Sequence, residues 1–418
     1  MRQRSRAPVS KPAFAPSNID SKIVSGFGAL RGSSSARRLK IAHVVPALTK
    51  GGAEHVVINL ANAAARAGHS VTILAAVPMP SEQAPGMISE QIERRYISRG
   101  SSSPRLVYPK LILWMLRNWS WLESQDVVHC HLTFGAIFGT LLQIVRGRRA
   151  RPAVVETYHA VGMAISPRRR TFHAALLGNR GAVAFVAEDP LWRRFAAVRP
   201  LRLMRTIRNG VALPQPIDSV ASERYRERIG LPKDVFVVGT ISRLIHERRP
   251  DLLLEAFAHL TQISAFEVHL LLAGEGPERP ALLERAWHLG LADCVHFPGL
   301  VLAPHEPLGL IDLYLTLNVG AVTGIAALEA AVSGIPVIAA QLSPDFQPAQ
   351  DDWIWSSTDP QEIAARAVAL INDPEALRAL GQKQQRYALK HHGVEAMAKA
   401  YYRLYEEAIA RRKTDRGS

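Results

Sequence analysis

VGAVTGIAALEAAVSGIPVIAA, residues 319–340, holds a single carboxylate, Glu329, in an otherwise apolar run. Gly324 precedes the helix-like stretch AALEAAV, Ser333-Gly334-Ile335-Pro336 breaks it, and VIAA reads as a short buried strand. Loop, helix, turn and strand in that order make half of a nucleotide-binding unit. A helix opened by a glycine offers backbone N–H groups and the positive end of its dipole, which suits a pyrophosphate. A carboxylate farther along the same helix is placed to accept hydrogen bonds from ribose or sugar hydroxyls. About 20 apolar residues would also span a bilayer, but the Gly-Ile-Pro break and Glu329 argue against a transmembrane helix.

Upstream, the same alternation repeats. LKIAHVVP (39–46) predicts a buried strand, Thr49-Lys50-Gly51-Gly52 a turn, and residues 53–67 a helix with Val56, Val57, Leu60, Ala61 and Ala64 on one stripe. Strands follow at 71–77, 126–130, 153–157, 182–187 and 205–208, and Pro214-Gln215-Pro216 reads as a linker. A second set contains strands at 235–242, 268–273, 295–297, 313–317 and 336–340. Its helices are expected at 250–259, 280–289 and around Glu329, and a last helix at 393–412. The fold class is therefore α/β, with two Rossmann-like doubly wound domains facing a cleft. The expected division is a disordered basic leader (1–38), an N-terminal domain (39–213), a C-terminal domain (217–390) and a C-terminal helix and tail (391–418).

A chain of 418 residues exceeds one ordinary core. Cys130 and Cys294 are its only cysteines, so no disulfide framework exists and neither belongs to a metal-ligand spacing. A cytoplasmic setting fits best. Of the net charge of +15, the first 40 residues carry nine Lys/Arg against one acid, a net of +8. This Ser-, Pro- and Gly-rich leader lacks the apolar core of a secretory signal. A transit peptide, a tail for nucleic acid or anionic lipid, and a merely solvated tail all remain open for it.

Together these segments resemble the retaining GT-B glycosyltransferases of the large family-4 group, over about residues 39–410. KIAHVVPALTKGGAEHVVINLANAAARAGHSVTIL looks like that family's N-terminal loop, in which Gly51 and Gly52 let the donor approach the backbone. VVHCHLTFGAIFG and VVETYHAVG resemble its next strand-end motifs, VGTISRLIHERRPDLLLEAF its phosphate-contacting motif, and LLAGEGPERPALLERAWHLGLADCVHFPGLV its Gly-rich turn and base-binding loop. The resemblance implies that Arg243 holds the donor diphosphate and that Arg248, where the family usually has lysine, keeps the positive charge. It implies that His159 lies near the reacting centre and that the C-terminal helix crosses back to the first domain. Gly274 and Gly276 fit a tight strand-to-helix turn, donor-binding or simply structural. Thr323, Gly324, Ile325 and Ala326 are expected to present backbone N–H groups to the donor, with Glu329 as the catalytic carboxylate.

One departure stands out. The resemblance calls for a carboxylate eight positions before Glu329, and Ala321 occupies it; the nearest upstream acids are Asp312 and Glu306. Three readings stay open: backbone N–H groups of residues 323–326 meet the sugar, a residue elsewhere substitutes, or the protein is a weak or inactive relative. No Asp-x-Asp motif and no ligand-spaced His/Cys/Asp cluster occurs, so no metal and no cofactor is expected beyond the nucleotide-sugar substrate. Arg105–Trp121 interleaves Tyr108, Trp114, Trp119 and Trp121 with Arg105, Lys110 and Arg117. It reads equally as an interfacial membrane helix or as an ordinary amphipathic core helix. Arg168-Arg169-Arg170 could meet a lipid phosphate or a sugar acid. The reading is thus a metal-independent hexosyltransferase acting on a saccharide or lipid-linked acceptor, cytoplasmic and peripheral on the membrane. The alternative is a degenerate relative that binds nucleotide or glycan without turnover. Nucleic acid is not an expected partner, because the basic residues outside the leader are dispersed.

Overall fold

Short runs of Val, Ile, Leu and Ala that are apolar on both faces belong in parallel sheets covered by helices on either side. A computed structural model of the protein contains two such sheets. It describes residues 37–48, 51–78, 88–98, 107–146, 151–159, 181–187, 203–212, 219–301, 305–318, 324–341 and 359–417, with a few isolated positions between them. Most of the leader, Lys50, Arg105, Arg169, Arg170, Ala321, Thr323 and the linker 214–216 lie outside the described residues. Two compact units result. One holds the described residues up to Val211 and again from His392; the other is Ala212–His391.

The first unit runs β1 (Lys40–Val45), α1 (Gly52–Arg66), β2 (Ser70–Ala75), β3 (Glu93–Tyr96), α2 (Tyr108–Arg117), α3 (Trp119–Ser124) and β4 (Val127–His131). It continues with α4 (Leu132–Arg146), β5 (Ala153–Tyr158), β6 (Ala182–Phe185) and β7 (Met204–Thr206). The sheet order is β3-β2-β1-β4-β5-β6-β7, every pair parallel. The winding reverses between β1 and β4, the topological switch point. The Arg37 guanidinium reaches Asp126 Oδ1 at 2.6 Å while the other carboxylate oxygen takes Lys40 N–H, which ties the start of β1 to the residue before β4. Leu60, Ala61, Ala64, Val56 and Val57 of α1 are buried, as their spacing requires.

The second unit runs α5 (Ser219–Arg228), β8 (Phe236–Ile241), a 3-10 turn (His246–Arg248), α6 (Pro250–Ile263), β9 (Val268–Ala273), α7 (Arg279–His288) and β10 (Val295–Gly299). Then come α8 (His305–Leu308), β11 (Leu313–Asn318), α9 (Ile325–Val332), β12 (Val337–Gln341), β13 (Ile354–Trp355), α10 (Pro360–Ile371) and α11 (Pro374–His392). Its order, β10-β9-β8-β11-β12-β13, repeats the first sheet's winding and puts a second switch point between β8 and β11. The core is formed by the strand interiors with Leu252, Leu253, Phe257 and Leu260 of α6 and Ile363, Ala367 and Ile371 of α10. Gln384 of α11 pairs through its side-chain amide with both N–H and C=O of Val337, at 2.7 and 2.8 Å, and so satisfies the start of β12.

The last helix, α12 (Val394–Gly417), returns to the first unit. Val394, Met397, Ala398, Tyr401, Leu404, Tyr405, Ala408 and Ile409 are buried at helical spacing. Burial of each large side chain in that stripe contributes about 1.5–3 kcal/mol. Tyr401 and Tyr405 also carry their hydroxyls onto β5 and β4, where Thr157 Oγ1 lies at 2.8 Å and His129 Nδ1 at 2.7 Å.

Candidate functional site

In doubly wound sheets ligands bind beyond the carboxyl ends of strands at the switch point. Each unit places some of the side chains singled out above near that point.

In the second unit, β8 ends at Ile241 and the chain runs through Ser242, Arg243 and Leu244 into the 3-10 turn. Ser242 N–H bonds Ala273 O and Leu244 N–H bonds Glu275 O, so this loop lies flush against the turn that leaves β9. Only glycines permit that approach. A Cβ on Gly274 (φ +153°) would collide with Ser242 O, and one on Gly276 with Leu244 O. The two glycines therefore support the arginine loop from behind.

Arg243 is exposed, whereas Arg248 is half-buried and desolvation lowers its pKa; Tyr314 opposes that shift and the charge of Arg243 adds to it. Arg249 is drawn aside by a bidentate pair with Asp251, at 2.8–3.1 Å. The Arg248 guanidinium instead lies beside Gly324, where even a methyl group would sit 3.4 Å from Nη1. Gly324 is the N-cap of α9 and supplies no side-chain cap to its first amides. The Arg248 guanidinium, within electrostatic reach of both Arg243 and Glu247, thus lies at the positive end of a helix, a setting that favours an anion.

Glu329, one face of α9 farther on, is largely buried, and desolvation raises its pKa to about 7. Tyr314 of β11 lies under the cluster. Its hydroxyl accepts from Ile241 N–H and faces Ile241 O, both at 3.0 Å, and its pKa is raised by burial, with a smaller contribution from the charge of Glu329. Asp312 and Glu306 have other employment: Asp312 Oδ2 accepts Val237 N–H at 2.8 Å, and Glu306 lies 3.4 Å from the Arg228 guanidinium. The described residues thus unite Arg243, Arg248, Gly324, Ile325, Ala326 and Glu329, with Gly274 and Gly276 behind them. Thr323 and Ala321 lie outside the described residues.

At the first unit's switch point β1 and β4 pair in register, His43 opposite His129, so His43, His129 and His131 share one face of the sheet. His159, just past β5, joins them: its Nε2 lies 3.2 Å from His131 Nδ1. Burial pushes its pKa down to about 4, so it is a neutral imidazole at pH 7. Gly51 is the N-cap of α1, and the Glu54 carboxylate folds back over its Cα. That gives Gly51 a structural reason, with Gly52 exposed beside it.

Two family models match the chain: "Glycosyl transferases group 1" over residues 233–373 and "Glycosyltransferase Family 4" over residues 50–214. The chain belongs to the family-4, group 1 glycosyltransferases. Among relatives of this family, a D-inositol 3-phosphate glycosyltransferase of Corynebacterium jeikeium is 30% identical over 202 residues, 45% of this chain and 47% of that one. The chain thus matches about half the length of that relative. N-acetyl-alpha-D-glucosaminyl L-malate synthase of Bacillus anthracis is 22% identical over 69% of this chain and 76% of its own length. Among solved structures, Anabaena HepE in complex with UDP and glucose superposes with a TM-score of 0.69 at 18% identity, covering 88% of this chain and all of that one. The likeness identifies the fold as that of GT-B glycosyltransferases.

Tyr314 and the His43–His129–His131 cluster were not singled out from the sequence of this family-4 chain. Tyr314 reads as one more apolar strand residue in LYLTL, and the His43–His129 pairing needs the strand order. Within 105–121 the structure breaks the expected single helix into α2 and α3 at Asn118. Trp114 and Trp121 pack inward, in edge contact with each other at 6.0 Å, against the core of Leu111, Met115 and Phe138. The exposed apolar side chains of α2 are Ile112, Leu113 and Leu116, at 52%, 51% and 57%. Among the described residues no helix is long and apolar enough to cross a membrane.

Proposed function

We propose that the protein moves a hexosyl unit from a nucleotide-sugar to a saccharide or lipid-linked acceptor, in synthesis of a bacterial surface polysaccharide or glycolipid. In this reading it works with retention at the anomeric carbon and without a resident metal ion. The observation that carries the proposal is Arg248 held, with Arg243 nearby, against the uncapped N-terminus of α9. A departing nucleoside diphosphate gains negative charge as the glycosidic bond breaks. Cations and helix-end amides fixed in advance stabilise that charge more than they stabilise the ground state. Glu329 accepts from sugar hydroxyls, and His159 of the first unit offers a neutral imidazole to the sugar or acceptor. The UDP and glucose bound to HepE support a nucleotide-sugar as donor.

A lipid-linked acceptor accords with α2, whose exposed Ile112, Leu113 and Leu116 lie on a helix bearing Lys110 and Arg117. The enzyme would then be cytoplasmic and peripheral on the inner face of the membrane.

Thermal shift against UDP, GDP and their sugars, followed by donor hydrolysis, tests the assignment. Stabilisation by a nucleoside diphosphate, abolished in Arg243→Ala and weakened in Glu329→Ala, is expected. Micromolar nucleotide binding with no turnover of any donor would instead favour the non-catalytic reading that Ala321 motivates. Wild-type binding and turnover in both variants would overturn the site.

A further inference from the structure

The imidazoles of His43, His129 and His131 are buried, with one ring nitrogen of each within 4.8 Å of the others. By residue type they could ligate a transition metal. Their hydrogen bonds point elsewhere. His129 Nδ1 faces Tyr405 Oη and its Nε2 faces Thr157 Oγ1, both at 2.7 Å. His131 Nε2 faces His43 Nδ1 at 3.1 Å, and His131 Nδ1 faces His159 Nε2 at 3.2 Å. Of the six ring nitrogens in the three-histidine cluster, only His43 Nε2 has no partner among the described residues. A metal ion would have to break several short hydrogen bonds that are already complete.

His43, His131 and His159 instead form a chain of rings. Burial pushes His43 to about pKa 3 and His159 to about 4, and holds His131 well below the usual histidine range, so all three are neutral at pH 7. A neutral imidazole has one N–H and one lone pair. His131, flanked by a ring nitrogen on each side, must donate to one neighbour and accept from the other. If it donates through Nδ1, then His43 donates through Nδ1 and His159 accepts at Nε2, so all three rings are Nδ1–H. If it donates through Nε2, all three are Nε2–H. Mixed chains would place two N–H groups or two lone pairs face to face.

We propose that His131 and His43 are positioning residues that fix the tautomer of His159, the three rings switching together. The consequence falls on His159 Nδ1, the one nitrogen at the outer end of the chain and without a partner among the described residues. It is a donor in one register and an acceptor in the other. A sugar hydroxyl satisfies either, whereas a ligand offering only acceptor oxygens, such as a carboxylate or phosphate, pulls the chain into the Nδ1–H register. That change would reach His43, two rings away and sealed from solvent. This inference rests on the reading that His159 meets the substrate.

The test uses the full chain labelled with 15N-histidine and two-bond 15N–1H correlation spectra, which separate Nδ1–H from Nε2–H rings, with signals assigned by single substitutions. His43, His131 and His159 are expected to show one common tautomer, and any change in His159 on adding UDP-glucose or inorganic phosphate should appear in His43 too. In His131→Leu the correlation between His43 and His159 should vanish, with kcat/KM for transfer down about tenfold, the scale of one hydrogen bond. The wild-type spectrum decides the matter even if that variant fails to fold. Opposite tautomers in His43 and His159, or one zinc ion per chain that is lost in His43→Asn, would overturn the proposal. A common tautomer together with unimpaired transfer by His159→Ala would leave the coupling standing and remove His159 from the reacting centre.

Discussion

Glu329→Gln isolates the cost of holding a carboxylate inside the second unit. The Glu329 carboxyl titrates near 7 in the fold against an ordinary 4.5, because burial penalises the ionised form. At 1.36 kcal/mol per pH unit that difference is about 3 kcal/mol. Its sign follows from proton linkage. Below pH 4.5 the group is protonated folded and unfolded, and contributes nothing. Between 4.5 and 7 the unfolded chain releases the proton while the folded chain keeps it, so stability falls as pH rises. Above 7 the whole penalty is present. Glutamine has the same shape and no proton to lose, so the variant should gain on wild type by about 3 kcal/mol between pH 4.5 and 8.

For units of 150–250 residues this is about 6–12 °C in Tm. Melting both proteins without nucleotide at half-unit steps from pH 4.5 to 8.5 measures it, since every other titrating group cancels in the difference. Parallel curves across that range would refute a desolvated Glu329. Donor hydroxyls that bond the carboxylate favour its ionised form. Nucleotide-sugar binding at pH 7 should therefore release protons, seen by calorimetry as a dependence of the heat on buffer ionisation enthalpy.

Arg243→Ala should weaken nucleoside diphosphate binding about 10- to 100-fold, the scale of a charge-assisted hydrogen bond, as read by titration calorimetry. Gly274→Ala would force its methyl group onto Ser242 O in a backbone conformation alanine rarely adopts. A loss of about 3 kcal/mol in urea unfolding is expected, with weakened nucleotide binding because the arginine loop rests on that turn. Tyr405→Phe removes the partner of His129 Nδ1 and should cost about 1–2 kcal/mol without altering nucleotide affinity. Ile112→Ser combined with Leu116→Ser should reduce sedimentation with anionic vesicles and leave donor hydrolysis unchanged; equal sedimentation would remove α2 from the membrane surface.

The fold was legible because buried parallel strands announce themselves. VHLLLA spans β9 from end to end, and the glycine-opened helix with a lone Glu329 marked one strand-to-helix crossover correctly. The elements that escaped have physical reasons. Strand β3, ERRY, is a charged edge strand with no apolar period, and α4, LTFGAIFGTLLQIVR, is apolar almost all round and offers no stripe to read. The candidate site was legible only where its residues act through local sequence. Arg243 and Arg248 follow a strand, and Gly324 opens a helix. The chain linking His159 to His131 and His43 was invisible because it is a property of register: His43 and His131 are 88 positions apart and meet only because β1 and β4 are neighbours.

That contrast bears on how the two switch points differ. In the second unit the backbone comes first: Gly274 and Gly276 let two loops touch, and Gly324 admits the Arg248 guanidinium beside the start of α9, with Glu247 and the buried Glu329 as acids of the same neighbourhood. In the proposed reading an anionic ligand completes that site and stabilises the fold by mass action. In the first unit's histidine chain the rings satisfy one another, leaving His43 Nε2 and His159 Nδ1 as its two ends among the described residues. An ion entering that cluster would have to displace these hydrogen bonds, whereas the proposed role needs only the direction in which the outermost nitrogen presents its proton. In the proposed reading the second unit holds charge and the first orients a neutral group, so Arg243→Ala should act on nucleotide affinity and His131→Leu on the His159 tautomer.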